Sequence, residues 1–193
     1  MSRFESQLLW QSVAMVTAIA QPAQVVLAAV YLTAESAQRA LFPEAQDFEM
    51  LDAAPTAEQQ KVIALAAGRQ SPHGRLRAWT ARRAGAVVGH VFVDEVVGRQ
   101  DFITYAVGID ARGRLRPVEI LEYRESHGGE IRNKRWLAQF TGRYELSMLR
   151  FRTDIKNIAG ATLSSEHVTA GVRRILALWQ TIVKPAATDS GKP

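Results

Sequence analysis

Eight consecutive residues, Ile158-Ala159-Gly160-Ala161-Thr162-Leu163-Ser164-Ser165, place small side chains and three hydroxyls directly before a long amphipathic run. A helix that begins there presents free backbone N–H groups and the positive end of its dipole, the two features that seat a phosphate. Gly160 and Ala161 leave the backbone open to a bulky ligand, and Thr162, Ser164 and Ser165 supply more hydroxyls than one cap requires. The chemistry expected of residues 160–165 is therefore anchoring of a phosphorylated ligand. An ordinary helix cap with a tight turn before it is the competing explanation of the same residues.

Other chemistry is thinly represented. The four histidines, His73, His90, His127 and His167, have no metal-binding spacing, so no metal site is expected, and no catalytic side-chain set stands out. The chain has no cysteine, which excludes disulfides, Cys-ligated zinc, iron–sulfur clusters and attached c-type haem. The run Arg75-Leu76-Arg77-Ala78-Trp79-Thr80-Ala81-Arg82-Arg83 is basic and contains one aromatic. With Leu76, Ala78 and Thr80 on one face it reads as the basic edge of a sheet, and no nucleic-acid partner is expected.

The elements that must position the loop are mostly legible. A chain of 193 residues with 47% hydrophobic and 22% charged residues suits one globular domain, and excludes disorder and a multi-span membrane protein. The net charge of +5 is spread along the chain and bears on solubility and steering. Thr33 caps a helix over 34–41 that Pro43 stops, and Thr56 with Gln59 forms a capping box for a helix through 67, closed by Gly68. Period-two runs predict strands over 76–80, 86–93, 102–109 and 115–123. Arg83-Ala84-Gly85 and Asp110-Ala111-Arg112-Gly113 supply the turns of antiparallel hairpins.

A short helix is expected over 131–140, ended by Gly142. The last helix carries Val168, Val172, Ile175, Leu176, Trp179, Ile182 and Val183 on one face, with Arg173, Arg174 and Gln180 elsewhere on the wheel. Ser164 or Ser165 is its expected N-cap and Lys184-Pro185 its end. The fold class that follows is α+β, a largely antiparallel sheet flanked by helices in a single domain over 29–185. Residues 186–193 are small and polar and are expected to form a disordered tail.

The N-terminus carries the compartment signal. Residues 8–20 are mostly apolar, Arg3 precedes them, and Ala18-Ile19-Ala20 or Val26-Leu27-Ala28 offers a cleavage site. Gln11, Gln21, Pro22 and Gln24 interrupt the run, which falls short of the roughly 20 apolar residues of a spanning helix. Residues 1–28 are read as a signal peptide or N-terminal anchor, and export to the cell envelope, periplasmic or membrane-associated, is expected.

Two segments carry a family resemblance. One is Asp154-Ile155-Lys156-Asn157-Ile158-Ala159-Gly160-Ala161-Thr162-Leu163-Ser164-Ser165 followed by Val168. The other is Gly113-Arg114-Leu115-Arg116-Pro117-Val118-Glu119-Ile120-Leu121-Glu122-Tyr123-Arg124-Glu125-Ser126-His127-Gly128-Gly129. Over roughly 107–178 the chain resembles the FMN-binding domain family, the covalent-flavin domain of subunits of the Rnf and sodium-translocating NADH:quinone reductase complexes. The second segment resembles the family's strand that ends in a Glu-Thr-Pro-Gly-type loop near the flavin.

The resemblance implies FMN as cofactor, with its phosphate esterified to Thr162 by a magnesium-dependent flavin transferase that takes FMN from FAD. It also implies a membrane or periplasmic redox partner. The cofactor-binding residues it points to are Thr162, Ala161, Gly160, Leu163, Ser164 and Ser165, joined by Glu125, His127 and Gly128 of the upstream loop. Tyr123 or Trp136 is a candidate to stack on the ring, and Arg143, Arg150 and Arg152 are candidates to balance the phosphate. A threonine hydroxyl with no His or Lys beside it is a weak nucleophile, which suits a residue modified by another enzyme. The function expected is electron transfer rather than substrate turnover. The alternatives are a flavin-dependent reductase of a small acceptor and a flavin-free binding module of the same fold.

Overall fold

The computed structural model describes residues 29–68, 76–125 and 127–184; the expected leader and tail, with His73, Arg75, Ser126 and Pro185, lie outside the described residues. Six antiparallel strands form one sheet in the order β1-β6-β5-β4-β3-β2. They are β1 (Ala29–Val30), β2 (Asp47–Leu51), β3 (Arg77–Arg83), β4 (Ala86–Val97), β5 (Phe102–Asp110) and β6 (Leu115–Tyr123). Strands β3 to β6 follow one another as a meander of local pairings, and β2 pairs with β3 across the connection that carries the second helix. The β3–β4 turn places Ala84 and Gly85 both at positive φ, 48° and 79°, the twist that a two-residue hairpin needs and that glycine adopts without strain.

Helix α1 (Ala34–Leu41) connects β1 at one edge with β2 at the other, and so crosses one face of the sheet. Thr33 caps it, its side chain accepting from Ser36 N. Ala34, Ala37, Leu41 and Phe42 pack there against Trp79, Ala81, Val91, Val93, Ala106 and Leu121. Helices α2 (Ala57–Ala67), α3 (Lys134–Leu137) and α4 (Thr162–Leu178) cover the other face. With both faces covered, β5 is buried along nearly its whole length. The fold is α+β in one domain.

Helix α4 is the element that organises the second face. Val168, Val172, Ile175 and Leu176 are fully buried against β4 and β5, and each such side chain contributes about 1.5–3 kcal/mol on leaving water. Polar contacts then fix where along β4 the helix sits. Arg174 pairs with Asp94, which is completely buried and also accepts from Tyr105 Oη at 2.5 Å. Burial, with the Asp94 charge beside it, pushes the Tyr105 hydroxyl well above its ordinary pKa. One turn lower, Trp179 Nε1 donates to His90 Nδ1 at 3.2 Å. Arg173 is equally engaged: it donates to Ala66 O, Ala67 O and Leu146 O, satisfying the carbonyls at the end of α2.

Several expectations are corrected here. Strand β3 is not an edge, because β2 pairs along it; β2 itself is short and acidic, exposes Met50, and offers no strong period-two signal. The helix expected over 131–140 is three short pieces, a 3-10 turn at Gly129–Arg132, α3, and a 3-10 turn at Ala138–Phe140. Asn133 causes the break, since its side chain accepts from Arg135 N and Trp136 N and starts a new helix there. Helix α4 begins earlier than expected: its N-cap is Ala161, and Ser164 and Ser165 lie within its first turn or just past it. It continues into a π turn over Trp179–Val183. Arg173 and Arg174 face protein rather than solvent.

Two outcomes follow from the polar pins. Burial first, and the Arg82 charge second, lower the His90 pKa to about 4 from 6.5. The unfolded chain therefore takes up a proton that the folded one refuses, so stability present above pH 6.5 is lost as the pH falls towards 4, by on the order of 3 kcal/mol. Thermal denaturation against pH should show this loss, and His90→Asn, which keeps an acceptor for Trp179, should flatten it. Asp94→Ala should cost about 3–5 kcal/mol in urea denaturation because it strands Arg174, whereas Asp94→Leu with Arg174→Met should cost less.

Candidate functional site

The loop leading into α4 is held from beneath. Trp136 Nε1 donates to Lys156 O at 2.6 Å, and Lys156 N donates to Gln139 Oε1 at 2.9 Å, so the backbone at Lys156 is tied to the α3 region on both sides. Asp154 accepts from Arg150 through its backbone N and guanidinium, and this hydrogen bonding holds its carboxyl below the usual range. The chain then turns at Gly160, whose φ is +85°. A Cβ at Gly160 would meet nothing within 4 Å, so that side of the loop is open.

Thr162 is the first residue of α4 rather than its cap, and the distinction matters chemically. Ala161 caps with no side-chain hydrogen bond, so the helix start receives no acceptor from its own cap residue. The first amides of a helix have no partner within it, and here they stand beside a threonine hydroxyl. Asn157 Nδ2 donates to Thr162 Oγ1 at 3.1 Å, while Asn157 Oδ1 accepts from Ser165 Oγ at 3.0 Å. Ser165 thus orients Asn157, and Asn157 orients the Thr162 hydroxyl. Thr162 is half-buried and Leu163 is exposed.

The loop after β6 meets the helix start. Gly128 has φ +88°, and a Cβ there would lie 2.6 Å from Tyr123 Oη and 3.5 Å from Ala161 Cβ. The Tyr123 hydroxyl and the positive φ are what require glycine here, while the approach to Ala161 is ordinary van der Waals contact. The Tyr123 hydroxyl donates to His127 O, and burial raises its pKa while a hydrogen bond from Ser164 opposes the shift. Glu125 turns the other way: its Oε1 accepts from Arg99 N, from Gln100 N at 2.9 Å and from Asp101 N at 3.3 Å, in the turn between β4 and β5. His167 Nδ1 donates to Val97 O at the end of β4.

The residues expected from the sequence are therefore partly assembled. Gly160 and Leu163 are exposed and Thr162 is half-buried on the open side of the loop, whereas Ala161 is buried with Gly128 against it. Ser164 and Ser165 are buried and face inward, so towards the open side they offer backbone and not hydroxyls. Glu125 is spent on the β4–β5 turn, and the His127 carbonyl on Tyr123. Neither aromatic candidate is a free stacking platform: Tyr123 is buried, and Trp136 is buried edge-on to Phe140 with ring centres 5.3 Å apart.

The expected phosphate counter-charges are occupied too. Arg143 donates to Gln139 O, Met148 O and Asp154 O, Arg150 pairs with Asp154, and Arg152 lies over the Phe151 ring. Asn157 escapes sequence reasoning although it stands inside the loop; only its place five residues before Thr162 could have marked it.

This geometry suits a phosphate ester or a phosphate held by amides, with small residues leaving room for the rest of the ligand. Residues 98–177 match the family described as "FMN-binding domain". The chain is also 30% identical over 158 residues, 77% of its own length and 74% of the relative's, to a protein of Acetobacterium woodii. That relative is a subunit of a Na(+)-translocating ferredoxin:NAD(+) oxidoreductase complex.

The contact between Gly128 and Tyr123 yields a testable outcome. Gly128→Ala should destabilise the protein by about 1–3 kcal/mol through backbone strain and the clash with Tyr123 Oη. In a double-mutant cycle Tyr123→Phe should recover part of that loss, because it removes the atom the new Cβ meets. Additive effects in denaturant unfolding would show that the two groups do not meet.

Proposed function

This chain belongs to the FMN-binding domain family and takes FMN as its cofactor, and from that premise we propose that it is an electron carrier of the cell envelope. Its FMN is joined through the phosphate to Thr162 Oγ1. The observation that carries this reading is the placement of Thr162 at the uncapped start of α4, its hydroxyl held by Asn157 beside the first amides of the helix. A phosphate there meets N–H donors and a favourable dipole without displacing any side chain.

Among the described residues no base contacts that hydroxyl; its partner is the Asn157 amide. Activation is assigned to a separate flavin transferase. In that step a bond forms between Thr162 Oγ1 and the flavin-side phosphorus of FAD, the phosphoanhydride breaks, AMP leaves, and the hydroxyl proton passes to the transferase. Bound FMN supplies the electron chemistry, and the chain's share is to attach, orient and shield it. Asn157 and Ser165 set the direction of the hydroxyl, and Gly160 leaves its side of the loop open.

The envelope assignment is supported by the run at residues 8–20 and by the relative's name, which makes that protein part of a sodium-translocating complex. Among the described residues no helix is long and apolar enough to cross a membrane. Any membrane attachment is thus assigned to residues 1–28 or to a membrane-bound redox partner.

Co-expression with a flavin transferase should add the mass of an FMN moiety to the intact protein and leave a yellow colour that survives acid denaturation. Thr162→Ala should abolish both, and Asn157→Ala should lower the fraction modified by about tenfold at a fixed time, since it frees the hydroxyl to rotate. Persistence of the added mass in Thr162→Ala would overturn the attachment site.

A further inference from the structure

We propose that Glu125 is a positioning residue, whose carboxylate ties the β4–β5 turn to the loop after β6 and so holds that loop against the start of α4 without touching the flavin. The proposal rests on the reading that FMN is held at Thr162. Its physical basis is the saturation of one oxygen: Oε1 accepts from three successive amides, Arg99 N, Gln100 N and Asp101 N. Three backbone donors on one charged acceptor hold the turn far more firmly than its own closing bond, Gly98 N to Asp101 O at 2.8 Å.

The fit is tight on the far side as well. A Cβ on Gly98 would collide with Glu125 Oε1, so the turn approaches the carboxylate only because residue 98 is glycine. The turn is held a second time where β4 ends, by His167 Nδ1 on Val97 O. From Glu125 the chain continues to His127, whose carbonyl takes the Tyr123 hydroxyl, and to Gly128, which lies against Ala161. Ala161 precedes Thr162, and α4 leads on to His167 and back to the turn. The contacts therefore close a circuit through two loops and the first turns of α4, and Glu125 is its one charged link.

A carboxylate acting directly on a flavin and one acting through the turn differ in what their amide replacement does. Direct action depends on charge, so Glu125→Gln would shift the flavin potential as far as Glu125→Ala. Action through the turn depends on an acceptor oxygen in the right place, which Gln retains. Gly98→Ala probes the same joint from the other side and leaves the carboxylate chemically intact.

Hydrogen exchange on the flavin-free protein reads the clamp, and the potential and visible spectrum of the loaded protein read its effect on the site. Amides 99–101 should exchange about tenfold faster or more in Glu125→Ala than in wild type, with Glu125→Gln in between. Glu125→Ala and Gly98→Ala should both shift the flavin potential and spectrum, and Glu125→Gln should stay near wild type. The proposal is overturned if Glu125→Gln shifts the potential as far as Glu125→Ala, or if exchange at 99–101 is unchanged in Glu125→Ala. A wild-type protein that takes up no flavin overturns the FMN reading and the flavin part of this proposal, while the exchange result still decides the clamp.

Discussion

The whole second face of the domain depends on a charge sealed under a helix. Asp94 has no exposure to solvent, and Arg174 and the Tyr105 hydroxyl converge on one of its oxygens. Apolar packing of Val168, Val172 and Ile175 holds α4 to the sheet, but such packing is non-directional and tolerates a slide along the helix axis. A buried ion pair does not tolerate it, because moving the helix by one turn would leave both charges without a partner in a medium that solvates neither. The pair is not fully satisfied even so: Asp94 Oδ1 and Arg174 Nε have no hydrogen-bond partner. That imperfection suits a contact whose role is to specify position more than to maximise stability.

Helix position matters because the candidate site is at the other end of the same helix. Thr162 is twelve residues before Arg174, about 18 Å along an α-helix, and is in place only if the helix is in register. Gly171 belongs to the same arrangement, since it leaves room for the Tyr105 hydroxyl where any side chain would collide with it. The candidate loop is therefore anchored twice, from below through Lys156 on Trp136 and Gln139, and from a distance through the interior of the domain.

Much of this is legible in the sequence, and the misses have physical reasons. Thr33, Thr56 with Gln59, and the β3–β4 turn announce local structure that the fold adopts unchanged, because capping and turn formation are decided within a few residues. The apolar stripe of α4 is equally clear. What single-chain periodicity does not show is what lies opposite a residue. Arg173 and Arg174 look like surface charges on a helical wheel, and become buried anchors only because α2 and β4 bring carbonyls and a carboxylate to them. Glu125 stands in the expected loop, but its partners are amides 24 to 26 residues away in sequence. Ser164 and Ser165 look like caps because hydroxyls favour that role; the helix begins at Thr162 instead, and both are drawn inside.

The absence of a side-chain cap at Ala161 has a further consequence for the attachment proposed at Thr162. Had Thr162 been the cap, its oxygen would have been committed to an amide of its own helix, and esterifying it would have frayed α4 from the end. As the first helical residue, Thr162 keeps its oxygen outside the helix ladder. A phosphate joined to it brings acceptor oxygens to the amides that Ala161 leaves bare. The proposed modification would then complete the helix instead of opposing it, so that attachment of the cofactor and the folding of α4 would favour one another.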